Sequence, residues 1–141
     1  MAKRQKTKLI LDTNWYVSAT INRKSRRKLY ELLKNEKLII IYAYELLEEY
    51  NRVIHREKFN KIIAPNQIER FIRLVITKLA KVDITTSVEK SRDVKDNYLL
   101  ALAIDSRADY LVTGDPDLLD LKQIEDTQII NMADFLVRTS I

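Results

Sequence analysis

Short, continuous apolar runs recur along the chain, separated by longer segments with helical periodicity. The runs lie at residues 9–11, 38–42, 82–85, 110–112 and 128–130. Because they lack alternation of apolar and polar residues, they are typical of strands buried on both faces, as in a parallel sheet. Helices are predicted at residues 26–34, 43–57, 65–80, 94–106 and 132–137. The pattern predicts an α/β fold, a three-layer α/β/α sandwich with a central parallel sheet of about five strands.

Composition narrows the class of protein and the kinds of site. The 141 residues fit a single domain, 1–141, in which residues 1–7 form a basic N-terminal extension. No apolar run has the length of a membrane span, and no signal peptide is evident, so we expect a cytoplasmic protein without a membrane partner. The chain has no cysteine and one histidine. Any metal must therefore be held mainly by oxygen atoms, as Mg²⁺, Mn²⁺ and Ca²⁺ are.

Acidic residues stand where predicted strands end or helices begin. Asp12 follows the first apolar run, Asp115 and Asp117 follow the run 110–112, and Asp93 and Asp96 open the helix 94–106. In parallel sheets, sites form at such strand ends. Helix capping is an alternative for each acid, with Asp115 capping a helix that begins at Pro116. Capping alone does not explain why the helix starts of a chain with a net charge of +5 are acidic.

The helix 43–57 supplies a fourth candidate. Its apolar stripe contains Leu46, Leu47 and Tyr50, and Glu49 lies about 100° from the centre of that stripe. Glu49 is thus expected at the boundary of the core, where its side chain can reach a cleft. His55 falls on the polar face and is expected to be exposed.

Four carboxylates in one cleft repel one another unless a cation lies among them. One or two hard divalent ions can bind a phosphate, activate a water molecule and stabilise the leaving oxygen. Four polar residues beside the acids are expected to orient the carboxylates by hydrogen bonds; they are Thr13, Asn14, Asn97 and Thr113. Gly114, the only glycine, permits a positive φ and is expected to let the chain turn at a tight strand exit without a Cβ in the way.

The chain resembles the PIN-domain family, in particular PIN proteins that are toxin components of toxin–antitoxin systems (VapC-like). The resemblance runs from Leu9 to about Val137. It is carried by "LILDTN" (9–14), "ELLEEYNRVIHREKF" (45–59), "RDVKDNYLLALAIDSRADYLVTGDPDLLDL" (92–121) and "NMADFL" (131–136).

This resemblance implies the PIN fold and a ribonuclease that depends on Mg²⁺ or Mn²⁺, with one or two ions. It implies Asp12, Glu49, Asp96 and Asp115 as catalytic and metal-binding acids, with Asp117 as a further ligand. It also implies an RNA substrate, an antitoxin protein as partner, and a homodimer. Attack by water would leave a 5′-phosphate and a 3′-hydroxyl.

A basic cluster is the candidate surface for RNA. It comprises Arg23, Lys24, Arg26, Arg27 and Lys28. Cations at the start of a helix oppose the helix dipole, which a phosphate-binding role would explain, although a solvated surface is the alternative. Trp15, beside the first acid, either stacks on a base or fills the core.

Two other functions stay open. The chain could be a non-catalytic RNA-binding PIN module, although the presence of all four acids argues against lost catalysis. It could also be a phosphohydrolase with Asp12 as nucleophile. Phosphatases of the dehalogenase type usually carry a second aspartate two residues later, where this chain has Asn14.

Overall fold

The computed structural model describes residues 6–90 and 94–140, which contain six strands in one sheet. The strands are β1 (Thr7–Leu11), β2 (Leu38–Tyr42), β3 (Ala80–Lys81), β4 (Tyr110–Val112), β5 (Gln123–Ile124) and β6 (Thr127–Ile130). The helices are α1 (Thr13–Ile21), α2 (Arg23–Lys34), α3 (Tyr44–Ile54), α4 (Glu57–Asn60), α5 (Pro65–Ile76), α6 (Asn97–Ser106), α7 (Pro116–Leu119) and α8 (Met132–Thr139), with a 3₁₀ turn at Val94–Asp96.

The sheet has the strand order β3-β2-β1-β4-β6-β5. Neighbouring strands are parallel except β5 and β6, which form an antiparallel pair. The predicted α/β/α sandwich with a mostly parallel sheet is confirmed. Among the described residues the sheet has six strands rather than about five, because a two-residue strand such as β5 is too short to leave a hydrophobic pattern.

The central strand β1 shows why the sheet needs helices on both faces. Leu9, Ile10 and Leu11 are all fully buried. Because successive strand residues point to opposite faces, three consecutive buried residues require cover on each side. Burial of such side chains contributes roughly 1.5–3 kcal/mol each.

The order of the central strands indicates where a ligand-binding site lies. β1 lies between β2 and β4, and Leu11 is in register with Val112. From β1 the chain continues through helices to β2 on one side, whereas β4 lies on the other. Ligands of open α/β sheets bind beyond the carboxyl ends of the strands where the order switches in this way. Asp12 and Thr113 follow directly at that edge.

The predicted strand at residues 82–85 is wrong. The backbone N–H of Val82 still donates to Tyr42 at 2.9 Å, but residues 82–90 then run without regular structure. The N–H groups of Thr85 and Thr86 donate instead to the carboxylate of Asp105, at 2.6 and 3.0 Å. A side chain of α6 thus takes the donors that a sheet ladder would use.

Several helix boundaries differ from prediction. α2 begins at Arg23 rather than residue 26, because Asn22 is its cap; the Asn22 side chain accepts from the N–H groups of Lys24 and Ser25. The segment 43–57 divides into α3 and α4, with a break at His55. The segment 65–80 ends at Ile76, and 94–106 opens as a 3₁₀ turn.

The ends of the predicted domain are described only in part. Residues 1–5 of the predicted basic extension lie outside the described residues, and Thr7 already belongs to β1. Within the described part of the chain, no helix combines the length and apolar character needed to cross a bilayer.

Candidate active site

Asp12 is a carboxylate buried at the end of β1, with an exposed fraction of 6%. Its Oδ1 accepts a hydrogen bond from the backbone N–H of Asn14 at 2.6 Å, and its Oδ2 accepts one from the Thr113 hydroxyl at 2.6 Å. The first bond confirms that Asp12 caps α1. The second ties the carboxylate to the end of β4. The predicted orienting role thus has a specific contact for Thr113.

Thr113 also connects Asp12 with Asp115. Its Oγ1 accepts from the backbone N–H of Asp115 at 3.0 Å while its proton goes to Asp12. Asp115 is half-buried and caps α7, accepting from the N–H of Asp117 at 2.9 Å. The capping interpretation of Asp115 is therefore confirmed, and its role as a ligand, with that of the half-buried Asp117, stays a prediction.

The expectation that glycine keeps a Cβ out of the way at this turn is wrong. The φ angle of Gly114 is not positive. A Cβ built at this position meets no atom within 4 Å. The turn after β4 is made instead by the Asp115 cap and by Pro116, which is preset for the first turn of a helix.

Glu49 belongs to a second hydrogen-bonded group, which also contains Tyr98 and Thr13. The Tyr98 hydroxyl donates to Glu49 Oε1 at 3.0 Å and lies 2.9 Å from Thr13 Oγ1. The Glu49 side chain is 18% exposed, and its Oε2 lies 3.8 Å from the Arg52 guanidinium. This placement agrees with the angular prediction that Glu49 lies at the core boundary.

The carboxylates of this edge act on one another electrostatically. Burial raises the pKa of the Asp12 carboxyl above its ordinary value, while hydrogen bonds from Thr113 and Asn14 oppose that rise. The negative charges of Glu49 and Asp115 raise the pKa of Asp12 further. Burial and the Glu49 charge likewise raise the pKa of Tyr98 beyond its usual range, so its hydroxyl stays protonated. Three acids from three separate elements therefore share one electrostatic environment.

Asp96 and Asn97 stand at the start of α6, where both are half-buried. Within the described residues 94–106, the Asp96 carboxylate makes no capping hydrogen bond to α6, so capping does not account for it. Asp93, its partner in the proposed capping pair, lies outside the described residues. The assignment of Asp96 as a ligand, and of Asn97 as a residue that orients it, stays a prediction.

Tyr98 contacts Glu49 and Thr13, but it was not among the residues predicted for the site. It lies in the apolar run of α6, where its hydrophobic character was sufficient to explain it. The available signal was chemical: Tyr98 is the one hydroxyl-bearing residue among the aliphatic residues 98–104, two positions after Asp96.

A cleft of about 610 Å³ opens beside Asp12 and Asp115. Its size lies within the roughly 300–1,000 Å³ range of ligand sites. Its wall includes Trp15, Ser25 and Gly114. Trp15 is half-buried and also packs against the core, so it fills core volume and faces the cleft at once.

The basic cluster divides into engaged and exposed cations. Arg26 is half-buried and donates from Nε to Ala19 O and from Nη2 to Thr20 O, both at 2.9 Å. Lys28 lies 3.3 Å from the Glu31 carboxylate. Arg23, Lys24 and Arg27 are exposed. Because Ser25 of the same turn lines the cleft, these exposed cations stand near its rim.

The comparison with protein families agrees with this arrangement. A family model described as a PIN domain matches residues 8–117. The chain belongs to the PIN-domain family. Among curated proteins, "Uncharacterized protein MJ1680" of Methanocaldococcus jannaschii is 28% identical over 119 residues, which are 83% of this chain and 76% of that protein.

Solved structures share the fold of this PIN domain. VapBC2 from Rickettsia felis, crystallised with a DNA fragment from the promoter, superimposes with a TM-score of 0.59 and 19% identity, over 89% of this chain and 98% of that one. PAE2754 from Pyrobaculum aerophilum superimposes with a TM-score of 0.57 and 19% identity, over 96% of this chain and 90% of that one.

In this PIN domain, the donors available for a metal are oxygen atoms. Among residues 6–90 and 94–140, no three Asp, Glu, His or Cys side chains converge into a group that could hold a metal ion by itself. An ion beside Asp12 would therefore need oxygen atoms of water or phosphate as well. Mg²⁺ is commonly held in that way, by one or two carboxylates with waters and substrate phosphates. His55 is exposed, as expected, and its Nδ1 lies 2.8 Å from Asn51 O.

Proposed function

We propose that this PIN domain is an endoribonuclease that depends on Mg²⁺ or Mn²⁺. PIN domains are in general nucleases, which are hydrolases. The observation that carries the proposal is Asp12, whose pKa is raised first by burial and further by the negative charges of Glu49 and Asp115. Such an arrangement destabilises the fold without a cation and favours binding of one.

The donor set fits a hard divalent ion. Because no three acidic side chains of the described residues converge on one point, we assign Asp12, Glu49, Asp96 and Asp115, with Asp117 as a further ligand, to one or two ions that water and phosphate oxygens also hold. Carboxylate oxygens are the ligands that Mg²⁺ and Mn²⁺ prefer. When bound, one or two such ions neutralise phosphate oxygens and make water a better nucleophile. Water attack would leave a 5′-phosphate and a 3′-hydroxyl.

The residues around the acids keep them in place for this chemistry. The Thr113 hydroxyl and the Asn14 backbone hold the two oxygens of Asp12, so the carboxylate cannot rotate. Thr113 also accepts from the N–H of Asp115, so one hydroxyl group contacts both the Asp12 carboxylate and the backbone of Asp115. Fixed dipoles and charges need no reorganisation during the reaction, which is how such sites lower barriers.

The substrate path runs from the cleft over the first turn of α2. In this proposal the exposed Arg23, Lys24 and Arg27 attract phosphates, and Trp15 stacks on a base at the cleft wall. Base stacking on an aromatic side chain contributes roughly 1–3 kcal/mol. Arg26 belongs to the fold rather than to this surface, because its guanidinium is used by the carbonyls of α1.

We further propose that the protein is the toxin of a toxin–antitoxin pair, acts in the cytoplasm, and forms a dimer. The fold it shares with VapBC2 of Rickettsia felis supports an antitoxin partner. Co-purification of the chain with the product of an adjacent gene, followed by light scattering, tests both partner and oligomeric state.

The decisive experiment is RNA cleavage by the purified protein with Mn²⁺ or Mg²⁺. We expect cleavage with either ion, loss of cleavage with a chelator, and a loss of at least a hundredfold in Asp96→Asn, since removal of one charge-stabilising group commonly costs about that much. Asp126→Asn, the same change at an exposed acid of the β5–β6 turn, is the control that should cut normally.

The same assay separates the rival functions. Equal cleavage by wild type and Asp96→Asn would mean a contaminant or another site. RNA binding without turnover under every metal condition would indicate a non-catalytic module. A phosphate trapped on Asp12 from a phosphomonoester substrate would indicate a phosphohydrolase.

A further inference from the structure

The Tyr98 hydroxyl joins three elements at the candidate site. Tyr98 lies on α6, donates to Glu49 on α3, and contacts Thr13 at the start of α1. Thr13 is next to Asp12 in sequence and is 3% exposed. We infer that Tyr98 is a positioning residue that holds the Glu49 carboxylate beside Asp12, an inference that rests on the proposed metal-dependent function.

The number of protons fixes the direction of these hydrogen bonds. An ionised carboxylate only accepts, and a tyrosine hydroxyl has one proton to give. Tyr98 gives that proton to Glu49, so the Thr13 hydroxyl must donate to the Tyr98 oxygen. The result is a directed chain from Thr13 through Tyr98 to Glu49. Hydrogen bonds in such a chain polarise one another, and the last one ends on a charge.

Glu49 needs this hold because other forces draw it outward. Asp12, a buried carboxylate at the same edge of the sheet, repels the negative charge of Glu49. The Arg52 guanidinium lies 3.8 Å from the other oxygen and is 62% exposed, so it draws the carboxylate toward solvent. Tyr98 counters both effects by a bond to the inner oxygen. Without the Tyr98 hydroxyl, Glu49 would have to lose its contacts with solvent and with Arg52 before it could bind a cation.

The test is Mn²⁺ affinity of the metal-free protein, measured by titration calorimetry in the absence of RNA. Tyr98→Phe removes one hydroxyl and keeps the ring. We expect it to weaken Mn²⁺ binding by about tenfold, the lower end of what loss of a ligand-orienting partner costs. The control is Tyr50→Phe, which removes a buried hydroxyl bonded to Thr20 at 2.6 Å, from the residue next to Glu49. That variant should bind Mn²⁺ as the wild type does.

A double-mutant cycle shows whether Tyr98 acts through Glu49. In the Glu49→Gln background, Tyr98→Phe should cause no further loss of Mn²⁺ affinity, because the charge it positions is already gone. A purely structural role would lower affinity equally in both backgrounds and would overturn the inference. Thr13→Val, which removes the donor at the other end of the chain, gives a second variant and should weaken binding by a smaller factor.

The outcomes separate the inference from the function on which it rests. Wild-type affinity in Tyr98→Phe and in Thr13→Val would overturn the role of Tyr98 and leave the metal-dependent function in place. A wild-type protein that binds no Mn²⁺ and cuts no RNA would overturn both.

Discussion

At the scale of single residues, Gly114 stands where the chain leaves β4 and faces the cleft. Its φ is not positive, and an added Cβ would meet no atom within 4 Å. Gly114→Ala should therefore stabilise the protein by about 0.4–1 kcal/mol, because alanine restricts the unfolded chain without straining the folded one. Chemical denaturation of both proteins measures the difference.

The same variant probes why glycine is present. A more stable Gly114→Ala protein that cuts RNA poorly would show that the missing side chain leaves room for substrate at the cleft wall. A less stable variant would contradict the prediction and indicate a backbone constraint at this turn.

Asp12 should weaken the metal-free fold. Its folded pKa is raised, first by burial, so its contribution to stability is fully present below the unfolded pKa of about 3.9 and is lost as pH rises through the folded pKa. Asp12→Asn keeps an acceptor for the Asn14 N–H and removes the charge. With chelator at neutral pH, we expect its melting temperature to exceed that of wild type by a few degrees, about the effect of 1 kcal/mol.

The pH dependence is the control for that prediction. The advantage of Asp12→Asn should shrink as pH falls through the raised folded pKa of Asp12, because the wild-type carboxyl then becomes protonated. An advantage that is the same above and below that pKa would mean that the charge is not its cause.

At the scale of elements, the junction of α1 and α2 depends on one arginine. The Arg26 guanidinium donates to the carbonyls of Ala19 and Thr20 in the last turn of α1, where a cation also complements the helix dipole. Arg26→Gln should lower the free energy of unfolding by about 1–3 kcal/mol, the usual range for charged hydrogen bonds. Denaturant titration measures this loss.

Arg27→Gln is the matched control, since Arg27 is an exposed neighbour on the same helix. We expect it to change stability by less than about 0.5 kcal/mol, as surface substitutions usually do. Equal losses in the two variants would contradict the capping role of Arg26.

The same scale shows which elements a sequence pattern can predict. Buried strands such as β2 were predicted at their true bounds because a run of apolar residues is a local property. No helix was predicted at α1, because five of its nine residues are buried and it shows no clear polar face. The strand at 82–85 was wrong because its backbone donors are taken by Asp105, about 20 residues away, as no local pattern reveals.

The residues of the candidate site also differ in whether a local sequence pattern could predict them. Asp12 and Asp115 follow strands, so their meeting could be derived from the parallel order of the sheet, and Glu49 followed from the periodicity of one helix. Tyr98 could not be derived in that way. Its contact with Glu49 depends on how α6 packs beside α3, and its apolar neighbours gave it a sufficient role in the core.

At the scale of the whole molecule, the exposed cations at the start of α2 stand near a group of acids. Replacing Arg23, Lys24 and Arg27 by glutamine changes the net charge from +5 to 5 − 3 = +2. We expect weaker RNA binding and a salt dependence whose slope falls by about 2, since each phosphate contact to a single strand contributes about 0.7. Binding to single-stranded RNA at several salt concentrations measures the slope.

The fold should be intact in that triple variant, because Arg26 is retained. An unchanged slope would show that RNA takes another path across the surface. A matched triple variant of the exposed Lys58, Lys61 and Lys78, which has the same net charge, separates a local effect from a general loss of positive charge.

The hydrogen bond between Thr113 and Asp12 spans 101 positions of sequence. Chains grow at roughly 5–20 residues per second, so Thr113, which holds the Asp12 carboxylate, leaves the ribosome about 5–20 s after Asp12 does. During that interval β4 has not been made, so the edge at which the ends of β1 and β4 meet has not formed. The ribonuclease activity proposed for this edge would therefore arise only after most of the domain has been made, and the proposed antitoxin would have the same interval in which to be present before it is needed.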